Sequence, residues 1–456
     1  MINNELIEKL LSLLQSKQYG AVKSLVQDMN EVDVAEAIEE IFEENEEPET
    51  LLRLFRLLPK ETAAETFAYM HSDVQQKLVE MLSDTELGYI LDDMYLDDYV
   101  DLVEEMPANV VKKLMQVSSP ENRKLINEYL RYPEDSAGSL MTNEYVYLKP
   151  RLTVSQAFDV IRNTGIDKET IYTCYVISGE KQLEGVVTIR ELLLADPNAK
   201  VGDIMNTNVI HAHTLDDREE VAKLFSKYDM ISLPVVDNEE RLVGIITVDD
   251  AVDVLQEENT EDFEKMAGMT PSDDTYLRTP VITLAKHRII WLMVLMLSAM
   301  VTGAMLEYYE AAFVSIPLLV TFIPQIMDTG GNCGSQASTM IIRGLALDEI
   351  SPKDFTKAWW KEIRVALLCS VALCSVNFIR ILIQYHDPQV ALVVSGTLML
   401  TICMAKSLGC ILPILAKILK LDPAIMASPL ITTITDAFSI LVYFNFALWY
   451  LPGRLG

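Results

Sequence analysis

A single carboxylate, Asp436, lies inside an apolar stretch, residues 427–450, that is long enough to cross a membrane. An unpaired charge at bilayer depth costs about 3 kcal/mol or more, so it is retained where it faces an ion, a wet cavity or a charged partner. Ser428 and Thr432 precede it at intervals of four residues, which places all three on one helix face. This stripe predicts contact with a cation, and the alternative is an ion pair between Asp436 and Lys406.

A second apolar stretch, residues 313–343, is unlike a helix that faces lipid. Prolines and glycines free backbone groups, and these are tolerated at membrane depth only inside protein or along a wet cavity. Freed carbonyls and amide side chains are also oxygen ligands for cations. The pattern indicates an ion path, and the alternative is close packing of helices through small residues. The polar and helix-breaking residues are Pro317, Pro324, Asp328, Gly330, Gly331, Asn332, Gly334, Ser335 and Gln336.

Five stretches in the second half of the chain have the length and composition of membrane spans. Lysine and arginine cluster before the first, between the second and third, and between the fourth and fifth, whereas the other two loops have none. Because basic loops stay inside, we expect a cytoplasmic N-terminus and an external C-terminus in the cell membrane. The spans are residues 288–308, 313–343, 363–385, 388–417 and 427–450.

The elements before these spans are strongly acidic. Residues 1–286 hold 57 Asp and Glu against 26 Lys and Arg, a net charge of −31, while residues 287–456 hold 10 against 11. Such a region repels nucleic acid and anionic membrane surfaces and attracts cations. We therefore expect cations, and no nucleic acid, as partners of this region, whereas the apolar spans predict membrane lipid as a partner of the second half.

Residues 1–130 predict a helical solenoid. Short amphipathic segments recur every 24 residues, at Leu57, Met81 and Glu105, which leaves room for two short helices in each repeat.

Residues 137–256 contain an internal repeat. "EGVVTIREL" and "VGIITVDDA" match at Gly185 with Gly244 and at Thr188 with Thr247, 59 residues apart. Each copy predicts the order strand, helix, strand, strand, helix. The segment resembles a tandem pair of CBS domains, in which a glycine, a threonine and an aspartate often hold a nucleotide. Gly244, Thr247 and Asp250 fit that pattern, and the sequence leaves ATP binding open.

His211 and His213 alternate along a predicted strand in the second copy. Such a pair binds a metal only with further ligands, and the sequence shows no third ligand nearby. Solvent exposure is the favoured interpretation.

Carboxylates crowd the segment that leaves the second copy. Asp250, Asp253 and Glu257 share one helix face, and Glu258, Glu261 and Asp262 extend it. Like charges three and four residues apart repel unless something neutralises them. We expect a cation to do so, and a solvated helix face is the alternative.

Two motifs together carry a resemblance that covers essentially the whole chain. "PLLVTFIPQIMDTGGNCGSQ" in the second span and "LDPAIMASPLITTITD" leading to Asp436 follow the CBS pair and an acidic helical domain. This combination resembles the MgtE family of magnesium channels.

The resemblance implies a homodimer with a pore on its two-fold axis, lined by the second and fifth spans. Asp436 of each copy would hold hydrated Mg²⁺, with Ser428, Thr432, Gly331, Asn332 and Gly334 along the path. Mg²⁺ would be both substrate and regulator, imported down its electrochemical gradient and closing the pore from the cytoplasm. The implied regulatory ligands are Asp97, Asp101, Glu219, Asp229, Asp250, Asp253, Glu258, Glu261 and Asp262.

The predicted fold is a multidomain membrane protein with an α-helical solenoid, an α/β CBS pair and an all-α membrane domain of five helices. We expect domains at 1–130, 137–256, 257–286 as an acidic connecting or plug helix, and 287–456. One alternative function is transport of another divalent cation, such as Mn²⁺ or Co²⁺. Another is a membrane-anchored CBS nucleotide sensor without transport. An enzyme is not expected, because the sequence has no P-loop, G-x-S-x-G, H-E-x-x-H or dinucleotide motif.

Overall fold

The computed structural model describes residues 4–45, 48–166, 168–272, 276–277, 279–309, 316–426 and 428–451. The chain separates into two compact units, residues 1–255 and 256–456. Each unit is described by itself.

The first unit begins with a run of short helices. Alternating faces of these helices bury leucine, isoleucine and valine, which stack into one continuous core. The helical N-terminal region is therefore confirmed. The helices are α1 (Asn4–Gln15), α2 (Tyr19–Gln27), α3 (Glu31–Asn45), α4 (Pro48–Phe55), α5 (Lys60–Ala68), α6 (Ser72–Met81), α7 (Asp84–Asp93), α8 (Leu96–Glu105), α9 (Ala108–Val117) and α10 (Pro120–Tyr129).

Local sequence sets where several of these helices begin. Ser83 caps α7, and the Glu86 side chain returns a bond to the Ser83 backbone, which completes a capping box. Ser119 caps α10, whose first residue is Pro120. Acidic residues fill first turns, such as Asp97 and Asp98 in α8, where the helix dipole favours them.

Two copies of a three-stranded sheet follow, and they confirm the predicted CBS pair. The strand orders are β1-β2-β3 and β4-β5-β6, each with one parallel and one antiparallel pairing. The elements are α11 (Ala137–Leu140), β1 (Tyr145–Leu148), α12 (Val154–Thr164), β2 (Thr170–Ile177), β3 (Leu183–Thr188), α13 (Ile189–Leu194), α14 (Val201–Ile204), β4 (Ala212–His213), α15 (Arg218–Tyr228), β5 (Ser232–Val236) and β6 (Leu242–Thr247).

The matched glycines of the repeat have a packing role. A Cβ on Gly185 would lie 2.8 Å from Met205 Sδ, and a Cβ on Gly244 would lie 2.7 Å from Met141 Sδ. Each methionine belongs to the segment that opens the other copy, so the glycines let the two copies approach closely. The second copy also shares the core of the helical run through residues such as Phe225.

Helix α16 (Val248–Met266) leaves the second copy and carries the dense carboxylates. Gly268, with φ +71°, follows its end, and the Met269 amide donates to the Glu264 carbonyl. This pairing with a left-handed glycine is a helix-terminating motif. The helix thus begins nine residues before the segment 257–286 and ends within it, and the next helix begins at Val281.

The second unit is a bundle of long helices. They are α17 (Val281–Tyr308), α18 (Ile323–Ala346), α19 (Phe355–Tyr385), α20 (Pro388–Ile418) and α21 (Ser428–Tyr450), with 3₁₀ segments at Pro317–Phe322, Pro352–Asp354 and Pro423–Met426. Among the described residues, four stretches are long and apolar enough to cross a membrane: Val281–Tyr308, Pro352–Tyr385, Pro388–Ile418 and Pro423–Tyr450. Helix α18, in the second predicted span, is not among these four, so the count of five spans stays a prediction.

Candidate ion-path and metal-binding sites

Helices α18 and α21 pack in antiparallel contact, since ascending positions on α18 meet descending positions on α21. Glycines make this approach possible, because a Cβ at any of them would lie 2.5–2.9 Å from a side chain of α21. The pairs are Gly330 with Thr435, Gly331 with Thr432, and Gly334 with Ile431.

The expectation of freed backbone in this segment is wrong for residues 323–346. They form one continuous helix, with Pro324 in its first turn, where its missing N–H disrupts no helical bond. Gly331 and Gly334 are buried against α21 and owe their presence to close packing. An ion path here must therefore depend on side chains.

The outer face of α18 supplies such side chains. Asp328, Asn332 and Gln336 follow one another at intervals of four residues, and all three are exposed in the single chain. The Asn332 amide donates to Asp328 Oδ1 at 3.1 Å. A carboxylate and two amides are costly against lipid, so this face must meet water, an ion or protein.

Asp436 lies on α21 beside this face. It is close enough to Asp328 for the two carboxylates to repel each other. Its Oδ1 is buried and has no hydrogen-bond partner in the described part of the chain. The alternative of an ion pair with Lys406 is not supported, because the Lys406 ammonium lies 3.5 Å from Glu362 Oε2 instead.

Other polar groups surround the same seam. Thr432 is half-buried on the Asp436 side of α21, and the side chain of Ser428 lies outside the described residues. Hydroxyl oxygens of Thr401 and Thr435 are buried without a hydrogen-bond partner. Buried polar atoms of this kind call for an unseen water or ion, so the seam is suited to a hydrated species.

A separate cluster of carboxylates lies in the first unit. Asp97 and Asp98 stand in the first turn of α8, Asp249 and Asp250 stand in the first turn of α16, and Glu169 precedes β2. One oxygen of Asp97 and one of Glu169 are buried and have no hydrogen-bond partner among the described residues. Two acidic helix starts and a half-buried glutamate thus converge, and carboxylate oxygens are the ligands that Mg²⁺ prefers.

Burial and mutual repulsion change the acidity of these groups. Burial, followed by repulsion from Asp250, raises the pKa of Asp97 well above its usual value and the pKa of Asp98 to about 6. Burial and repulsion from Asp249 raise the pKa of Glu169 to about 8. Burial raises the pKa of Asp250 to about 6, against the opposing effect of its hydrogen bond from Thr247. The cluster therefore favours either protons or a cation.

Two further predicted ligands lie at the rim of this cluster. Asp101 is one turn after Asp97 on α8, and Asp253 is one turn after Asp250 on α16, and both residues are exposed. The structure thus brings Asp97 and Asp250 together, with Asp101 and Asp253 on the solvent side.

Glu219 and Asp229 are not brought together. They stand at opposite ends of α15, about 15 Å apart at about 1.5 Å per residue. Glu219 lies 2.8 Å from the Lys223 ammonium, and Asp229 ends the helix in the left-handed conformation at φ +52°. Their roles as metal ligands stay predictions.

The second half of α16 carries Glu258, Glu261 and Asp262. The Lys265 ammonium bridges Glu261 Oε1 at 2.5 Å and Asp422 Oδ2 at 2.7 Å. The Lys265 side chain thus supplies the positive charge between Glu261 and Asp422.

The residues predicted to hold a nucleotide have other contacts. Thr247 Oγ1 donates to Asp250 Oδ2 at 2.6 Å at the start of α16, and Gly244 packs against Met141. Nucleotide binding stays a prediction from the sequence.

Several residues of these candidate sites were not predicted from the sequence. Asp98 and Asp249 resembled ordinary helix starts, and Glu169 lies outside any helical periodicity. The sequence indicated that Asp328 is polar but not that it approaches Asp436. Asp422 lies inside the motif that leads to Asp436, and no neighbouring charges indicated its contact with Lys265. Only the tertiary fold shows which of many carboxylates converge.

Long apolar helices and converging carboxylates are together typical of a membrane protein that binds or transports cations. Residues 323–446 match the family described as a divalent cation transporter, residues 29–135 match the MgtE intracellular N domain, and residues 137–198 and 201–257 match CBS domains.

Relatives match over nearly the whole length. The magnesium transporter MgtE of Thermus thermophilus is 34% identical over 452 residues, covering 98% of this chain and 98% of the relative. The magnesium transporter MgtE of Bacillus subtilis is 32% identical, covering 99% and 98%. The solved soluble part of a magnesium transporter is 29% identical with a TM-score of 0.52, covering 56% of this chain and 98% of that one. The chain belongs to the MgtE family.

The raised pKa values predict how pH affects stability without Mg²⁺. The pKa values are about 6 for Asp98 and Asp250 and about 8 for Glu169, against about 4 for unfolded carboxyls. The folded state binds more protons in this window, so the free energy of unfolding falls as the pH rises from about 4 to about 8. Asp97→Asn removes one repelling charge and should raise the thermal midpoint at pH 8 in chelator.

The measurement is thermal unfolding of the detergent-solubilised full chain, in chelator and in excess Mg²⁺. Mg²⁺ should raise the midpoint of the parent chain more than that of Asp97→Asn. The matched control is Asp93→Asn, an exposed position on α7. A lower midpoint for Asp97→Asn at pH 8 in chelator would contradict the repulsion argument.

Proposed function

We propose that this chain transports Mg²⁺ across the membrane along a path lined by α18 and α21. The observation that carries the proposal is the buried, unpartnered Oδ1 of Asp436 close to Asp328. Two carboxylates at membrane depth, with no basic partner among the residues that the structure describes, need a cation between or beside them. The relatives named as magnesium transporters support Mg²⁺ as that cation.

Side-chain oxygens suit this ion. Mg²⁺ gives up its tight octahedral water shell reluctantly, so a path works best when it holds the ion through its waters. Carboxylates of Asp436 and Asp328, with the Asn332 amide and Thr432 nearby, supply acceptors and donors for such waters. Binding of this kind is strong enough for entry and weak enough for release.

The proposed transporter is a homodimer with the polar face of α18 at its centre. Asp328, Asn332 and Gln336 are exposed in one chain and unsuited to lipid. A second copy related by two-fold symmetry would present the same face and enclose a polar path. Each Asp436 would then face its twin across hydrated Mg²⁺.

The proposed topology has five spans, with α18 completing the second. The N-terminus and the basic loops would lie in the cytoplasm, so the acidic first unit would sample cytoplasmic Mg²⁺. Import would follow the electrochemical gradient, since an interior-negative potential contributes about 2.3 kcal/mol per charge per 100 mV. No catalytic step is proposed.

Cytoplasmic Mg²⁺ is proposed to close the path. Without it, Asp97, Asp98, Asp250 and Glu169 repel one another, and bound Mg²⁺ would hold α8 and the start of α16 together. Helix α16 runs on from Asp250 to Glu261, Asp262 and Lys265 without a break, so it offers a continuous element for transmission. Coupling requires that the closed state bind Mg²⁺ more tightly than the open state.

Two alternative functions can be distinguished from Mg²⁺ transport by experiment. A path for Mn²⁺ or Co²⁺ would show those ions outcompeting Mg²⁺ in flux, since oxygen ligands alone do not exclude them. A nucleotide sensor without transport would show ATP binding and no cation flux.

The path assignment predicts the effect of removing one charge. Asp436→Asn should reduce Mg²⁺ flux into proteoliposomes at least about 100-fold, since the charge that attracts the hydrated ion at membrane depth is lost. Asp348→Asn, at an exposed turn with φ +54° that asparagine tolerates, is the matched control and should keep full flux. Unchanged flux in Asp436→Asn would exclude this carboxylate from the path.

If cytoplasmic Mg²⁺ closes the path by binding the first unit, loss of one ligand should weaken closure and leave transport intact. Asp253→Ala should leave flux at trace cytoplasmic Mg²⁺ unchanged and should raise the Mg²⁺ concentration that halves it by about tenfold or more, as expected for about 1.4 kcal/mol of lost coupling. Flux through reconstituted protein is measured while Mg²⁺ on the cytoplasmic side is stepped. The control is Asp196→Ala, which removes another exposed carboxylate of the CBS pair. Normal closure of Asp253→Ala would remove this residue from the gate.

A further inference from the structure

Two histidines and a glutamate meet at one end of the second sheet. His211 Nε2 lies 3.4 Å from Glu240 Oε2, and His213 Nε2 lies 3.5 Å from Glu240 Oε1. One ligand atom from each residue lies within 4.8 Å of the others. The glutamate is the third candidate ligand that the sequence alone did not show, and the two histidine side chains stay partly exposed beside it.

The sheet dictates this meeting. His213 belongs to β4 and His211 stands two positions earlier, so both side chains leave the same face while Ala212 points into the core at 1% exposure. Strand β4 pairs in parallel with β5, and the turn between β5 and β6 brings Glu240 over their ends. Glu240 adopts φ +61°, a left-handed conformation that is uncommon for residues with a side chain.

We propose that His211, His213 and Glu240 bind a divalent metal ion of the imidazole-preferring class, with Zn²⁺ as its representative. Ligands about 2.1 Å from a tetrahedral zinc ion are about 3.4 Å apart, and each imidazole nitrogen has this spacing from one Glu240 oxygen, His211 from Oε2 and His213 from Oε1. Binding through a single carboxylate oxygen therefore needs a small rotation of the Glu240 side chain. Two imidazoles and a carboxylate leave the fourth position to water. Mg²⁺ prefers oxygen ligands, so it would not compete effectively for this site.

The other ring nitrogens support the assignment. His211 Nδ1 lies 3.3 Å from the Val209 carbonyl oxygen, and donation there leaves the Nε2 lone pair free to bind a metal. His213 Nδ1 lies 3.7 Å from Asp216 Oδ2, which also accepts from the His213 backbone amide at 2.7 Å. Metal-bound histidines commonly have such a carbonyl or carboxylate behind the ring.

The repeat provides an internal comparison. Strand β1 pairs with β2 as β4 pairs with β5, so the corresponding positions of the first copy are Tyr147, Lys149 and Lys181. Lys181 has φ +65°, nearly that of Glu240. The backbone geometry is shared but the metal-ligand chemistry is confined to the second copy, so the fold alone does not require these three side chains.

The position of the site suggests what a bound metal would stabilise. The Leu183 amide donates to the Glu240 carbonyl at 3.1 Å, and the Leu242 amide donates to the Lys181 carbonyl at 3.0 Å. The turn that carries Glu240 thus joins the two CBS copies. A metal that fixes this turn to β4 would rigidify the joint between them.

The test is Zn²⁺ binding to the full chain in detergent, measured by equilibrium dialysis and metal analysis in excess Mg²⁺. We expect one Zn²⁺ per chain at this site. Glu240→Gln and His213→Gln should weaken binding by more than about 100-fold, and Asp216→Asn by about 10- to 100-fold. Glu239→Gln is the matched control, because this neighbouring carboxylate pairs with Arg241 at 3.1 Å and should not alter binding.

Co²⁺ provides a second readout, since its visible absorption reports tetrahedral coordination in place of zinc. The spectrum should appear in the parent chain and Glu239→Gln and be absent from Glu240→Gln. Zn²⁺ that stays bound in both Glu240→Gln and His213→Gln, or that is lost only when cysteine thiols are blocked, would overturn the proposal. Equal loss in Glu239→Gln and Glu240→Gln would also overturn it.

Discussion

Repulsion between carboxylates is the interaction on which both candidate sites of this chain depend. In the first unit, Asp97, Asp98, Asp250 and Glu169 converge with unpaired oxygens, and in the second, Asp328 approaches Asp436 at membrane depth. Other buried or half-buried carboxylates lie beside a basic group, as Glu362 does beside Lys406 and Asp422 beside Lys265. Within the described residues these carboxylates repel one another, and in the proposed function a cation from solution would offset that repulsion.

The surrounding structure is built to hold these groups in place. Helices α18 and α21 approach through Gly330, Gly331 and Gly334, and this contact puts Asp436 next to the polar face of α18. In the first unit, the helical run and the second CBS copy share one hydrophobic core, which fixes α8 and the start of α16 despite their charge. Hydrophobic burial and close packing thus offset the electrostatic cost of the sites.

The sequence predicted the elements well because their signals are local. The period of apolar residues, the repeat at Gly185 and Gly244 and the long apolar stretches each depend on neighbours in the chain. Asp436 was identified because a lone carboxylate in such a stretch is costly whatever surrounds it. The prediction that Gly330, Gly331 and Gly334 break the helix was wrong. A glycine that breaks a helix and a glycine that lets two helices approach closely look the same in sequence. Glu169 and Glu240 were missed because their partners are distant in the chain.

The most direct test of the central claim is the number of protons released when Mg²⁺ binds. Mg²⁺ is titrated into the full-length protein by calorimetry near pH 7, in two buffers with different ionisation enthalpies. Because burial and repulsion raise the pKa of Glu169 to about 8 and the pKa of Asp97 well above its usual value, part of the cluster holds protons that Mg²⁺ must displace. The account predicts net proton release, seen as an apparent enthalpy that differs between the buffers. Equal enthalpies in both buffers would contradict it.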